Sequence, residues 1–148
     1  MALFESYERR IDQIKPVMEK YGIKVSSIGS PIGKIDITAD QTEHFALFMH
    51  TLDLADIFET KNIRMFSFYV PEGKGKEYKG KVFDRLGQFA DYAKANNVVL
   101  LHENEKGIYG EKAKELLALI KKVCDGEPTK NEIYGNREIA IFKDGVTL

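Results

Sequence analysis

Tryptophan is absent from the 148 residues, and Cys124 is the one cysteine. A single thiol closes no intramolecular disulfide and forms no CxxC pair, which excludes a disulfide scaffold and leads us to expect a reducing, cytoplasmic setting. An excess of one charge is missing too, since 22 Lys and Arg face 23 Asp and Glu for a net charge of −1. No global positive field therefore draws in nucleic acid or an anionic membrane. No stretch approaches 18 uninterrupted apolar residues, so no membrane span is expected, and the opening MALFESYERRID lacks the apolar segment of a signal peptide. With only four Pro, 12 Gly and 43% hydrophobic residues, collagen-like and disordered classes fall away. The length suffices for one domain with a sizeable core. It does not suffice for a closed eight-stranded (β/α) barrel, which takes about 250 residues and at least about 200.

What is present is an alternation of two hydrophobic periods. Residues 5–21 set Ile11, Ile14, Met18 and Tyr21 on one helical face, with Pro16 expected to kink or shorten the helix. Gly22 stops it, and Ile23–Ile28 reads as a short strand. Asp40 is placed to cap a helix carrying Phe45, Phe48, Met49, Leu52 and Ala55 at helical spacing. Asn62–Val70 reads as a strand, and Tyr78, Val82, Leu86, Phe89, Ala90 and Ala93 as the next helix. Val98–Leu101 is the apolar run of a strand buried on both faces. A fourth helix follows from Ala113, Leu116, Leu117, Ile120 and Val123, then a last strand at Arg137–Phe142. Strands recurring every 35 to 40 residues between helices, near 23, 63, 98 and 137, predict an α/β fold with a parallel sheet.

In such folds ligands gather at the carboxyl ends of strands, where strand-to-helix loops converge. Here those ends are polar: Ser30 and Lys34 after the first, Arg64, Ser67 and Tyr69 in the second, His102, Glu103 and Glu105 in the third. Glu103 is the most informative, because a carboxylate ending a buried strand needs a partner, whether a hydrogen bond, a countercharge or a cation. His102 and Glu103, as neighbours, are expected to point to opposite faces. Other candidates are weaker. Gly75–Val82 fits GxxxxGK but has Val82 where the phosphate loop needs Ser or Thr for magnesium, and a solvated lysine loop explains it better. His44 and His50, six apart, do not share the i, i+4 spacing of a metal pair and read as packing or surface residues. Cys124 has no neighbouring base to make it a nucleophile.

The segments YGIKVSSIGSPIGKI (21–35), NIRMFSFYVPEG (62–73) and VVLLHENEKGIYG (98–110) resemble the sugar phosphate isomerase/epimerase family. That family belongs to the xylose isomerase-like TIM barrels, and the resemblance covers about residues 7–123. It implies part of a (β/α) TIM barrel, with parallel strands alternating with helices, in one domain over residues 1–148. It further implies a divalent metal (Mn, Mg or Zn), an enediolate intermediate formed by proton transfer, and a sugar or sugar phosphate as substrate. Glu103 matches the first glutamate metal ligand and the catalytic carboxylate. Ser30, Lys34, Arg64, Ser67 and Tyr69 would line the substrate pocket, flanked by His102 and Glu105. The later strands that supply an Asp, a His and a further Glu have no match, nor does the family's first strand, and residues 124–148 are atypical. Two expectations follow: half-barrels that complete one another as a homo-oligomer, or an inactive barrel remnant serving as an interaction module. Endonuclease IV, in the same superfamily, works through a metal cluster that three scattered histidines do not supply.

Overall fold

The computed structural model describes residues 2–124, 139–143 and 146–147. Helices α1 (Ala2–Tyr21), α2 (Thr42–Ile57), α3 (Gly75–Ala95) and α4 (Ala113–Cys124) alternate with strands β1 (Ile28–Gly29), β2 (Asn62–Met65) and β3 (Val99–Glu103). Strands β4 (Ile139–Lys143) and β5 (Val146–Thr147) follow. The sheet has the order β1-β2-β3-β4-β5; the first four strands run parallel, and β5 returns antiparallel to β4. The expected partial barrel of parallel strands and helices is what the chain builds. No helix among the described residues is long and apolar enough to cross a membrane.

Register decides which residues face the helices. Ile63 lies opposite Leu100 and Met65 opposite His102, while Arg64 lies opposite Leu101. Ile63, Met65 and Leu100 are fully buried in one core with Phe48, Leu86 and Phe89 from α2 and α3. Side chains alternate across a strand, so Arg64, Leu101 and Glu103 share the other face. Phe89 is the hub of the helix layer, with ring centroids 4.5 Å from Phe48, 6.1 Å from Phe45 and 6.0 Å from Phe68.

Several expectations need correction. Pro16 sits inside α1 without ending it; a missing N–H removes one helical bond, and the rest of the helix carries through. The expected apolar face of α1 is largely uncovered by the described residues, with Ile14 exposed and Tyr21 66% exposed. Strand β1 keeps only Ile28 of the expected residues and adds Gly29. The stretch before it is held by side chains instead of a ladder: Thr60 Oγ1 (2.8 Å) and Asn62 Nδ2 (2.9 Å) both donate to the Ser26 carbonyl. Asp40 precedes the Gln41 N-cap rather than occupying it, yet its carboxylate accepts the Thr42 N–H at 3.0 Å.

Strand β2 stops at Met65, five residues short of expectation, because Phe68 adopts φ +71°. From there the chain pairs with the loop after β1: Phe66 N–H donates to Ile32 O, Phe68 N–H to Gly33 O and Tyr69 N–H to Ile35 O. In α4 the buried face is Leu116, Leu119 and Val123; Leu117, expected inside, is exposed. Arg137, the expected start of the last strand, lies outside the described residues, as does the polar stretch before it.

Candidate active site

The loop following β1 is fastened at each residue. Ser30, almost fully buried, donates its hydroxyl to the Arg64 carbonyl at 2.6 Å and accepts the Ile32 N–H at 3.3 Å. Gly33 takes φ +85° and donates its N–H to His44 Nε2 at 2.8 Å. These bonds deliver Lys34 to the end of the sheet. Its ammonium lies 2.7 Å from a Glu105 carboxylate oxygen and 4.3 Å from the centroid of the Phe66 ring. Arg64 reaches the same ring from β2, at 4.8 Å, and pairs through Nη1 with Glu103 Oε2 at 3.0 Å.

Phe66 is thus a fully buried platform on which two cations rest, each with its own carboxylate. Cation–π attraction of about 0.5–1 kcal/mol per exposed pair steadies both side chains, and the ion pairs add no more than about 1 kcal/mol each at this exposure. The gain is positional, because four ionic groups are set out before any ligand arrives. Glu103 has the partner that its place at the strand end demands.

The other expected site residues do different work. Tyr69 joins loops through its backbone, bridging Asp36 on one side and Ile108 on the other. Ser67 and His102 bond to each other, 2.8 Å between Oγ and Nε2, and both are buried. Alternation puts His102 on the helix-facing side, away from Glu103, so it does not join the Lys34–Arg64 group. The Ser67 hydroxyl donates to the Tyr109 carbonyl, which spends its only proton. His102 must therefore carry a proton on Nε2 and donate it, leaving Nδ1 bare; that atom is buried without a hydrogen-bond partner among the described residues. Burial pushes the imidazole down to about 4, so it is neutral at pH 7. Removing the shared hydroxyl with Ser67→Ala strands the Tyr109 carbonyl and the His102 N–H, and an expected loss of about 2–3 kcal/mol would be read from the urea midpoint. A loss under about 0.5 kcal/mol would show that neither group depends on Ser67.

Phe66 and His44 are the residues of this arrangement whose contacts pattern reading passes over. Phe66 looks like one more apolar strand residue, and only its position between Arg64 and the Lys34 loop marks it. His44 shows nothing beyond a helical position.

Whether these residues suit a divalent cation follows from the donors. Such an ion takes several oxygen or nitrogen ligands. Glu103 and Glu105 are each engaged by a cation, and among the described residues no group of three or more His, Cys, Asp or Glu converges. The described residues alone do not fit a metal.

The architecture has close counterparts. A probable 3-DHS dehydratase AsbF of Bacillus anthracis, involved in petrobactin synthesis, superposes with TM-score 0.66 at 18% identity, over 93% of this chain and 46% of that one. A xylose isomerase-like TIM barrel protein of Mycobacterium smegmatis, solved in complex with magnesium, gives TM-score 0.65 at 18% identity, over 92% and 46%. A D-tagatose 3-epimerase-like protein gives 0.59 at 14%, over 90% and 49%. The chain spans about half the length of these structures, and at such identities the likeness speaks for the fold. No curated protein matches the sequence. The profile of one family does, over residues 2–128 of the 148. The chain belongs to the xylose isomerase-like TIM barrel family.

Proposed function

We propose that this chain supplies part of the active site of an isomerase or epimerase acting on a sugar or sugar phosphate, completed by a second copy of the chain. One observation carries the reading: Lys34, Arg64, Glu103 and Glu105 meet at the carboxyl end of the sheet, ordered by Phe66. An α-hydroxy carbonyl compound presents a C–H acidified by the carbonyl. In the proposed reaction Glu103 takes that proton, the C–H electron pair becomes the enediolate double bond and the carbonyl π pair moves onto oxygen. For isomerisation the carboxylic acid returns the proton to the neighbouring carbon while the hydroxyl proton passes to the former carbonyl oxygen; for epimerisation a second acid, supplied from outside the described residues, protonates the opposite face. Arg64 aims the Glu103 carboxylate through their ion pair. Lys34 supplies positive charge for the developing oxyanion or for a phosphate, which is useful because it is in place beforehand.

Manganese, magnesium or zinc stays part of the proposal only as a group whose remaining ligands come from outside the described residues. The one thiol keeps the cytoplasm as the proposed compartment. A specific observation also supports an inactive barrel half: both carboxylates are already satisfied by cations.

Aldoses, ketoses and their phosphates incubated with the chain in D2O separate these readings. The expected result is solvent deuterium at the carbon beside the carbonyl, with a rate reduced by about 10²–10⁴ in Glu103→Gln. Native mass spectrometry with each metal gives the subunit count in the same samples. An oligomer with turnover supports the proposal. A monomer with neither exchange nor bound metal, or full activity in Glu103→Gln, overturns it.

A further inference from the structure

His44 lies on α2, half-buried and off the strand ends, and the reaction proposed above makes no use of it. Its Nε2 nevertheless receives the Gly33 N–H at 2.8 Å. A backbone amide can only donate, so Nε2 must hold a lone pair and the ring proton must sit on Nδ1. Gly33 is immediately followed by Lys34, and its own carbonyl accepts the Phe68 N–H at 2.8 Å. The residue that turns the chain toward the site is therefore held from both sides, once by backbone and once by an imidazole.

We infer that His44 is a positioning residue for Lys34: as a neutral imidazole it pins Gly33 and so keeps the ammonium over Phe66 and against Glu105, and on protonation it lets the loop go. An imidazolium has N–H on both ring atoms and cannot accept the Gly33 amide, so the hydrogen bond becomes a donor–donor repulsion. The loop or the ring must then move. Partial burial, and after it the positive charge of Arg85 from α3, hold the imidazole below its ordinary value of 6.5; Asp40 ahead of α2 interacts with that guanidinium. The pinned state is therefore the one present at neutral pH, and the release comes on acidification. The inference rests on the proposed role for Lys34 in substrate binding, but the coupling of His44 to Gly33 and Lys34 exists or fails independently of any substrate.

The test is an NMR titration of the full chain from pH 7.5 to 4.5, following the His44 ring, the Gly33 amide and the Lys34 side-chain ε-methylene. All three are expected to move with one midpoint below 6.5. Corrected exchange of the Gly33 amide should quicken about tenfold, the equivalent of one net hydrogen bond, while the Val98 amide, bonded to Ala93 O in another part of the fold, stays constant. In His44→Gln an amide oxygen can still accept but nothing titrates, so protection should be retained and the pH dependence vanish; His44→Leu should show the fast exchange at every pH. A Gly33 amide indifferent to the His44 titration overturns the inference, as does a Lys34 signal that does not follow it or a His44→Gln protein with the wild-type pH profile. If the coupling is seen while no sugar is turned over, the reading of Lys34 as a substrate ligand fails and the positioning of its side chain by His44 stands.

Discussion

Gly33→Ala is expected to destabilise the protein by on the order of 2–5 kcal/mol, among the largest effects a single methyl group can have. Two costs add. At φ +85° an L side chain crowds its own backbone, which costs roughly 1–2 kcal/mol. The added Cβ would also overlap the carbonyl carbon and oxygen of Phe66, with the Phe66 Cα 3.0 Å away. These are backbone atoms, so no rotamer change relieves the overlap. Nor can the segment swing aside freely, because Phe66 and Phe68 are tied to Ile32 and Gly33 by hydrogen bonds of 2.7 and 2.8 Å. Forcing them apart costs about 1–3 kcal/mol more. The ring displaced is the one beneath Lys34 and Arg64, so the site is disturbed together with the fold. Gly22→Ala is the control: φ is +64° but nothing lies within 4 Å of the new methyl, and about 1–2 kcal/mol is expected. Urea unfolding of both variants measures the difference. Equal losses would mean that the loop after β1 is not seated against the end of β2.

The contrast between these glycines shows what the sequence discloses and what it withholds. Gly22 is legible as a helix stop, because a period-3.6 pattern ends there and an apolar run begins. Gly33 sits in a loop whose meaning depends on Phe66, thirty-three positions later, and no local pattern links them. The same holds across the fold. Helices α2 and α3 were readable because each buries a stripe against the sheet, and Val98–Leu101 because an apolar run that short suits a covered strand. Strand β1 was overestimated: β-branched residues suit a pleated surface, but a strand also needs a partner edge, and Ser26 finds side chains there. Strand β2 was overestimated for a related reason. NIRMFSFYV has the composition of one strand, yet it divides at Phe68 where the chain exchanges a neighbouring strand for a loop. Within the site, Lys34, Arg64, Glu103 and Glu105 were identifiable as charges at strand ends, since a charge in such a position has to be accommodated. Their pairing was not identifiable. It depends on a phenylalanine that patterning assigns to the core, and on which face each strand residue occupies. His102 shows the latter directly: adjacent to Glu103 in sequence, it stands on the helix side of the sheet.

That placement makes His102 the source of the second large effect, a loss of stability in mild acid. Its pKa in the folded protein is pushed down to about 4 by burial, against an ordinary value of 6.5. Above pH 6.5 the ring is neutral in folded and unfolded chains alike, and contributes no pH dependence. As the pH falls below 6.5 the unfolded chain binds a proton that the folded chain refuses, and stability declines wherever the unfolded state holds more protons. The decline approaches about 1.4 kcal/mol per pH unit and totals about 3 kcal/mol near pH 4, where the folded ring begins to protonate. His44, also lowered, acts in the same direction. Asp36 and Asp40 are held below their ordinary 3.8 by hydrogen bonds from Thr38 and Thr42, so their share of acid loss is centred at lower pH. The window between 6.5 and 4 belongs to these two histidines. His102→Gln preserves a donor toward Ser67 and removes the titration; it should be less stable than the parent at pH 7.5 but lose much less on going to pH 4.5. Urea midpoints at half-unit steps of pH provide the comparison. Parallel decline in both proteins would mean that His102 accepts a proton inside the fold, which requires a hydrogen-bond acceptor for the Nδ1–H that forms.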